Sequence, residues 1–314
     1  MKITVIVPTY KRPKDLKRCL DGLKLQDRSV DELIVTVRDI DDLTWSFLET
    51  YNCDLLPLKI IKIEVTGVVA AMNSGLDVAT GDIIAFTDDD AVPRKDWLEK
   101  IESHFLADNA VGAVGGRDVM YDGSELITGE KRIVGKIQWF GRAIGNHHLG
   151  IGNVREVDVL KGVNMSFRST AIANMKFDER LLGNGAQVHF EILFCTLLKR
   201  NKWKLIYDPE IVVDHFRAER FDEDRRNNFN QIAWSNQVHN ETVAIMEFLP
   251  PSRRIIYIIW FILIGTRQAR GIVQLLRFLP TEGLLTIYKW IASMHGRYKG
   301  VLTLLVKTQN SRIA

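Results

Sequence analysis

Short apolar runs rich in Val and Ile alternate with longer amphipathic segments through the first third of the chain, and this alternation constrains the fold more than any other feature. "ITVIVPTY" reads as a strand and "PKDLKRCLDGLKLQ" as a helix with Leu16, Leu20 and Leu23 on one face. "DELIVTVRD", "LKIIKIEV" and "DIIAFTDDD" read as further strands, with "DDLTWSFLETY", "GVVAAMNSGLDVA" and "RKDWLEKIESHFL" as the helices that follow them in turn. Strands joined through helices predict a mostly parallel sheet covered on both faces. Ligands of such sheets gather beyond the carboxyl ends of the strands. Thr9, Tyr10, Arg38, Asp39 and the triplet Asp88, Asp89 and Asp90 all fall at such ends.

Adjacent carboxylates repel one another unless water screens them or a cation neutralises them. A solvated turn is the plain reading of an acidic triplet. Here the strand before it fixes the triplet at a ligand edge, and its hard oxygens suit Mg²⁺ or Mn²⁺ better than zinc. A divalent ion there would bridge the oxygens of a diphosphate and neutralise charge on a departing nucleotide.

Beyond residue 110 the pattern loosens. "AVGAVGGRDVMY" and "VDVLKGVNMSFR" are strand-like, and "WFGRAIGNHHLGIGNVRE" between them is polar and glycine-rich, which predicts a mobile loop. A helix "HFEILFCTLLKRN" and a strand "KLIYDPEIVVDHF" follow. His147 and His148 read as loop residues near an acceptor, not as zinc ligands, because no cysteine lies near them. The glycines around Gly115 make no dinucleotide fingerprint, since no strand, turn and helix of the required spacing surrounds them. Cys19, Cys53 and Cys195 lie far apart and are odd in number, which fits a reduced, cytosolic setting. The opening "MKITVIVPTYKR" is too short in apolar character for a signal peptide, so no export signal is expected.

Five segments carry a resemblance: "ITVIVPTYKRPKDLKRCLDGLKLQ", "ELIVTVRDIDD", "GVVAAMNSGLDVATGDIIAFTDDDAVP", "LKGVNMSFR" and "KLIYDPEIVVDHF". In this order they resemble a family 2 glycosyltransferase with the GT-A fold, over about residues 3 to 216. The resemblance implies transfer of a sugar from a nucleotide-diphosphate donor, UDP by default, with inversion and a divalent metal, to a saccharide or lipid-linked acceptor of the kind used in polysaccharide biosynthesis. Carried across, the nucleotide pocket falls on Pro8, Thr9, Tyr10 and Asp39, with Arg12 or Arg38 as further contacts. Asp41 suits the cap of the following helix, which leaves Asp39 for the ligand. Asp88 would meet the ribose and Asp90 the metal, with the role of Asp89 open.

Relatives often carry Ala-Arg-Asn where this chain has "AAMNSG": Met72 stands at the Arg position, while Gly75 and Asn73, the latter implied as a donor contact, are retained. Lys161, Arg168, Arg217 or Arg220 would have to supply the missing positive charge. Relatives also place a Glu-Asp pair before "YDP". Counting back from Tyr207 puts Glu191 on the aspartate of that pair, as the base that takes the acceptor's proton, with His189 as the alternative. His215 matches a histidine near the metal or diphosphate, or else is a hydrogen-bonded structural residue. The altered positions leave open a catalytically inactive nucleotide-sugar-binding or membrane-scaffold protein of the same fold, and a nucleotidyltransferase would be told apart by release of pyrophosphate.

Charge divides the chain near "RAERFDEDRRNN", which predicts a catalytic domain over 1–220 and a helical region over 221–314. Residues 251–314 carry ten Lys or Arg and one acid, a net +9, whereas residues 1–250 carry −6. The longest apolar run, "IIYIIWFILIG" from Ile255 to Gly265, is about half the ~20 residues needed to span a bilayer. With Arg253, Arg254, Arg267, Arg270, Arg277 and interspersed aromatics, the tail reads as helices lying in a membrane interface, or packed on the catalytic domain or a second subunit as a homo-oligomer. The aromatics are embedded in apolar runs, which argues against nucleic acid as the partner. The expected location is cytoplasmic, peripheral on the inner face of the cell membrane.

Overall fold

The computed structural model describes residues 1–226 and 228–310. The alternation becomes the order β1 (Ile3–Thr9), α1 (Pro13–Lys24), β2 (Glu32–Arg38), α2 (Asp42–Thr50), β3 (Leu58–Ile63), α3 (Val68–Val78), β4 (Ile83–Phe86), β5 (Ala91–Pro93) and α4 (Trp97–Ala107). Then come β6 (Val111–Asp122), β7 (Met165–Arg168), α5 (Phe190–Arg200), β8 (Lys204–Phe216) and the helices α6 (Gln231–Phe248), α7 (Pro251–Leu263), α8 (Ile272–Glu282) and α9 (Leu284–Asn310).

In the main sheet the strands lie in the order β8, β6, β7, β4, β1, β2, β3. The pairs β1–β2, β1–β4, β2–β3 and β6–β8 are parallel, while β7 runs antiparallel to both β4 and β6. This is the mostly parallel, helix-flanked sheet that the pattern predicts. β1 and β2 are buried on both faces, so apolar residues run consecutively, as in Val5, Ile6 and Val7 or Leu33, Ile34 and Val35, instead of at every second position. Leu16, Cys19, Leu20 and Leu23 of α1 pack on one side with Trp97, Leu98, Ile101 and Phe105 of α4. The helix α3 comes so close to β1 that a Cβ on Gly75 would stand 2.7 Å from Ile6 Cγ2, which explains a glycine in mid-helix.

The chain folds into two compact units. The first comprises 1–136, 144–177 and 194–219 and contains the sheet; the second comprises 137–143, 178–193 and 220–314. The second unit therefore takes in two stretches from earlier in the chain besides the C-terminal helices. In it α6 and α9 pack along each other, and α8 packs on α9. Among the described residues no helix is long and apolar enough to cross a membrane.

The glycine-rich stretch after Ile144 corrects the expectation of a loop free to move. His147 is buried, its Nε2 donates to Val159 O at 2.9 Å, and its carbonyl accepts from the Tyr207 hydroxyl at 2.9 Å. An imidazole that satisfies one polar contact can sit in a core, and glycine content alone does not report that anchor.

Candidate active site

The register places the acidic triplet. β1 and β4 run in parallel with Ile6 opposite Phe86, so Thr9 and Asp88–Asp90 emerge from the same edge. β5 then pairs antiparallel with β8, setting His215 opposite Ala91 and beside Asp90. β8 also pairs with β6, with Val213 opposite Asp118, so Asp118 joins the group.

The side chains form a run of alternating charge. Thr9 Oγ1 donates to Asp89 Oδ2 at 2.7 Å, and Arg12 reaches Asp89 Oδ1 at 2.9 Å and Asp90 Oδ2 at 3.3 Å. Asp90 also accepts from the Ala218 amide at 3.0 Å and stands 3.2 Å from His215 Nε2. His215 Nδ1 lies 3.5 Å from Asp118 Oδ2, and Lys161 completes the run on Asp118. The repulsion inside the triplet is thus partly cancelled by protein cations.

Burial decides what each carboxylate can do. Asp89 is wholly buried; burial drives its carboxyl up to about 7, against the opposing pull of Arg12 and the Thr9 hydroxyl. Asp90 is pulled below the usual carboxylate range: burial opposes this, but His215, Arg12 and the Ala218 amide outweigh it. His215 is raised to about 9 because the Asp118 and Asp90 carboxylates overcome the cost of burial.

Asp88, Asp90 and His215 bring one ligand atom each to within 4.8 Å of one another. Two carboxylates and an imidazole fit a divalent ion such as Mn²⁺ or Mg²⁺. Asp118, against Nδ1, stands where an outer carboxylate would orient the ring of a histidine that held a metal. The fit is therefore good in donor type, grouping and ring support.

Asp39 and Arg38, at the end of β2, lie 3.6 Å apart, and Asp39 Oδ1 and Arg38 Nε are both buried without a hydrogen-bond partner. Such orphaned atoms at a ligand edge are suited to a polar ligand. Asp41 caps α2 by accepting from the Thr44 amide at 3.1 Å, which leaves Asp39 outside the cap as expected. The Tyr10 ring has Lys11 Nζ 5.1 Å and the Arg38 guanidinium 5.9 Å from its centre, and Pro8 pairs with Thr36 inside the sheet.

Some residues expected at the nucleotide have structural tasks. Asn73 on α3 clamps the core: its Oδ1 accepts from Phe177 N at 2.8 Å and its Nδ2 donates to Phe177 O at 3.0 Å. Arg12 is placed on Asp89 and Asp90. Arg168 is excluded as the source of missing charge: β7 runs antiparallel to β4, so Arg168 pairs with Ile83 at the opposite edge and donates to carbonyls of Phe105, Asp108 and Val111. Arg217 pairs with Asp122, and Arg220, in the second unit, with Asp224.

His189 and Glu191 belong to the second unit. His189 has a positive φ of 74° and accepts the Ile192 amide through its carbonyl, so it closes the start of α5, while Glu191 lies in the first turn. The segment leading to them is held by side chains of the same unit. Asn240, fully buried on α6, accepts from Leu182 N at 2.8 Å and donates to Leu182 O at 2.9 Å and Val188 O at 3.1 Å. Glu223 accepts the Asn184 amide and Asp222 the Ala186 amide.

Sequence reasoning missed Asp118, Ala218 and Asn164. Asn164 is buried, accepts from the Trp97 indole at 2.9 Å and donates to Ile211 O at 2.9 Å and Arg117 O at 3.2 Å, tying α4, β6 and β8 together. A polar residue inside an apolar strand pattern is the signal that marks Asp118 and Asn164.

Similarity to known proteins agrees with this geometry. The profile of glycosyl transferase family 2 matches residues 4–201. A glycosyltransferase of Haloferax volcanii, AglE, is 31% identical over 117 residues, 36% of this chain and 38% of that protein. The pre-mycofactocin glycosyltransferase of Mycobacterium tuberculosis is 28% identical over 223 residues, 68% of this chain and 42% of that protein. The matched regions thus span less than half of these curated relatives. Among solved structures, S. aureus TarS 1–349 in complex with UDP-GlcNAc aligns at TM-score 0.62 and 18% identity, covering 96% of this chain and 82% of that one. GalNAc-T7 with UDP, GalNAc and Mn²⁺ aligns at TM-score 0.62 and 12% identity, covering 78% of this chain and 48% of that one. The chain belongs to glycosyl transferase family 2 and has that family's GT-A fold.

Proposed function

We propose that the protein transfers a sugar, with inversion and dependence on Mg²⁺ or Mn²⁺, from a nucleoside-diphosphate donor, UDP-linked by preference, to a hydroxyl of a saccharide or lipid-linked acceptor. The observation that carries this is the convergence of Asp88, Asp90 and His215 within 4.8 Å at the carboxyl edge of the parallel strands. TarS in complex with UDP-GlcNAc, and GalNAc-T7 with UDP and Mn²⁺, support the choice of donor and ion.

Asp88, Asp90 and His215 are the residues that would hold the ion, which supplies positive charge to the diphosphate as it leaves. Asp118 keeps the His215 ring oriented. Asp39 and Arg38 have the orphaned polar atoms to receive the nucleotide base, beside the Tyr10 ring. Thr9, Arg12 and Asp89 act together as the internal brace that holds the acidic edge in shape. Glu191 takes the proton from the acceptor hydroxyl as its oxygen bonds to the anomeric carbon; the bond from that carbon to the diphosphate oxygen breaks, and its electron pair leaves with the diphosphate.

The test is turnover of UDP-sugars with and without Mn²⁺, following nucleoside diphosphate release. Asp90→Ala should lower turnover by at least about 100-fold, the scale of losing a principal electrostatic stabiliser. Glu191→Gln should keep donor binding by thermal shift while transfer falls by about 100-fold or more. Full activity of Asp90→Ala would refute the metal assignment, and binding without turnover in the native chain would favour an inactive donor-binding protein.

A further inference from the structure

Helices of a water-soluble unit normally turn their apolar stripe inward. In the second unit three consecutive helices also carry an apolar stripe outward. On α7, Ile255, Ile259 and Ile262 are exposed at a spacing of four and then three residues, one helical stripe. α8 repeats the spacing with exposed Ile272, Leu276 and Leu279, and α9 repeats it again with exposed Leu284, Tyr288 and Ile291. Ile259 is 52% exposed, Leu276 63% and Leu284 70%, so these side chains are not the edges of a core.

The packing of α9 against α6 and α7 uses small and polar residues beside the buried Tyr257 and Phe261. Gly296 and Gly300 let α9 approach α6 closely: a Cβ on Gly296 would stand 2.3 Å from Ser235 O, and one on Gly300 2.8 Å from Thr242 Cβ. Around that seam the Trp234 indole donates to Ser293 Oγ at 2.9 Å, His239 Nε2 stands 2.9 Å from Thr303 Oγ1, and Arg297 donates to the Tyr257 hydroxyl at 3.0 Å. Close approach at small residues with hydrogen bonds inside is how helices associate where the surroundings are apolar.

Charge says what those surroundings are. Residues 251–306 contain a single acid, Glu282, and it is held by Arg270 and Lys289, each at 2.7 Å. Arg253, Arg267, Arg277 and Lys299 are exposed. An exterior that is apolar and cationic matches an anionic lipid surface, where acyl chains take the stripes and phosphates take the guanidinium groups. A second copy matches it poorly, because in a twofold dimer the patch meets itself and arginine would face arginine. Among the described residues no helix is both long and apolar enough to cross a membrane, and outward stripes of this kind suit helices lying along a lipid surface.

We propose that α7, α8 and α9 form a surface that docks on an anionic lipid bilayer. Such docking would bring the enzyme to a lipid-linked acceptor, but it does not depend on the transfer reaction. The test is flotation of the full chain with phosphatidylcholine vesicles, with and without phosphatidylglycerol. The native chain should float with the anionic vesicles only, and added salt should weaken it. Ile259→Asp and Leu276→Asp should each reduce the vesicle-bound fraction by about tenfold, with an unchanged melting profile because both positions face outward. No flotation of the native chain, or equal flotation of both variants, would overturn the proposal. A vesicle-free dimer that Ile259→Asp dissociates would give the face to a second copy and overturn it as well. UDP-sugar turnover in vesicle-free buffer, measured on the same samples, separates failure of docking from failure of the transferase reading.

Discussion

His147 shows how much one buried imidazole can do. It is held neutral: burial pushes it down to about 4, with the carbonyl of Val159 accepting from its ring. In the unfolded chain it would titrate near 6.5. Between those two values the unfolded state binds one more proton than the folded state, so stability rises with pH across the window and is lost on acidification through it. The loss is complete below the folded value and amounts to about 3 kcal/mol at most. Urea titrations from neutral pH downward should therefore show a slope that His147→Asn reduces by about one proton between roughly pH 6.5 and 4. An unchanged slope would mean that other groups carry the acid sensitivity. Arg12 makes a related point at the site. Its place after β1 suggests a ligand contact, yet its guanidinium pairs with the wholly buried Asp89 at 2.9 Å.

At the scale of elements, the segment before α5 is held from outside itself. Leu182 and Val188 bind Asn240, and the amides of Asn184 and Ala186 bind Glu223 and Asp222. Asn240→Ala would leave the Leu182 amide and the carbonyls of Leu182 and Val188 without that partner, costing the second unit about 2–4 kcal/mol. Because Glu191 follows this segment directly, the same variant should lower kcat of sugar transfer by about tenfold while the donor KM stays near its native value. Parallel losses in kcat and donor affinity would point instead to general unfolding. None of this is legible in the sequence, since side chains that capture a backbone more than fifty residues away leave no local pattern. The strands and helices up to α4 are legible because each declares its own period, as Leu16, Leu20 and Leu23 do in α1. At the site, Asp88, Asp90 and His215 are legible as residue types at strand ends. Asp118 is marked only as a polar residue in a strand pattern, since its place beside His215 comes from the β6–β8 register, and Asn73 reads as a donor contact although Phe177 takes its amide.

On the scale of the whole molecule, the chain passes between its two units five times, at 136/137, 143/144, 177/178, 193/194 and 219/220. The charged stretch after Phe216 marks only the last of these passages, because composition changes once whereas the path returns repeatedly. The second unit is consequently assembled from both sides of that point: Arg180 pairs with Glu247, Asn240 binds Leu182, and Asp222 binds Ala186. A protease site introduced between Glu219 and Arg220 tests this directly. Cutting there should leave residues 220–314 bound, since their partners in 178–193 remain attached to the N-terminal fragment and the bonds within the unit survive the cut. The two fragments should co-elute on size exclusion in native buffer and separate only in denaturant. Salt alone should not part them, because Asn240 is uncharged and fully buried, so its bonds to Leu182 and Val188 are little screened. Separation in native buffer would show that the C-terminal helices form a unit without the earlier segments, and would remove the physical basis for tying Asn240 to the placement of Glu191.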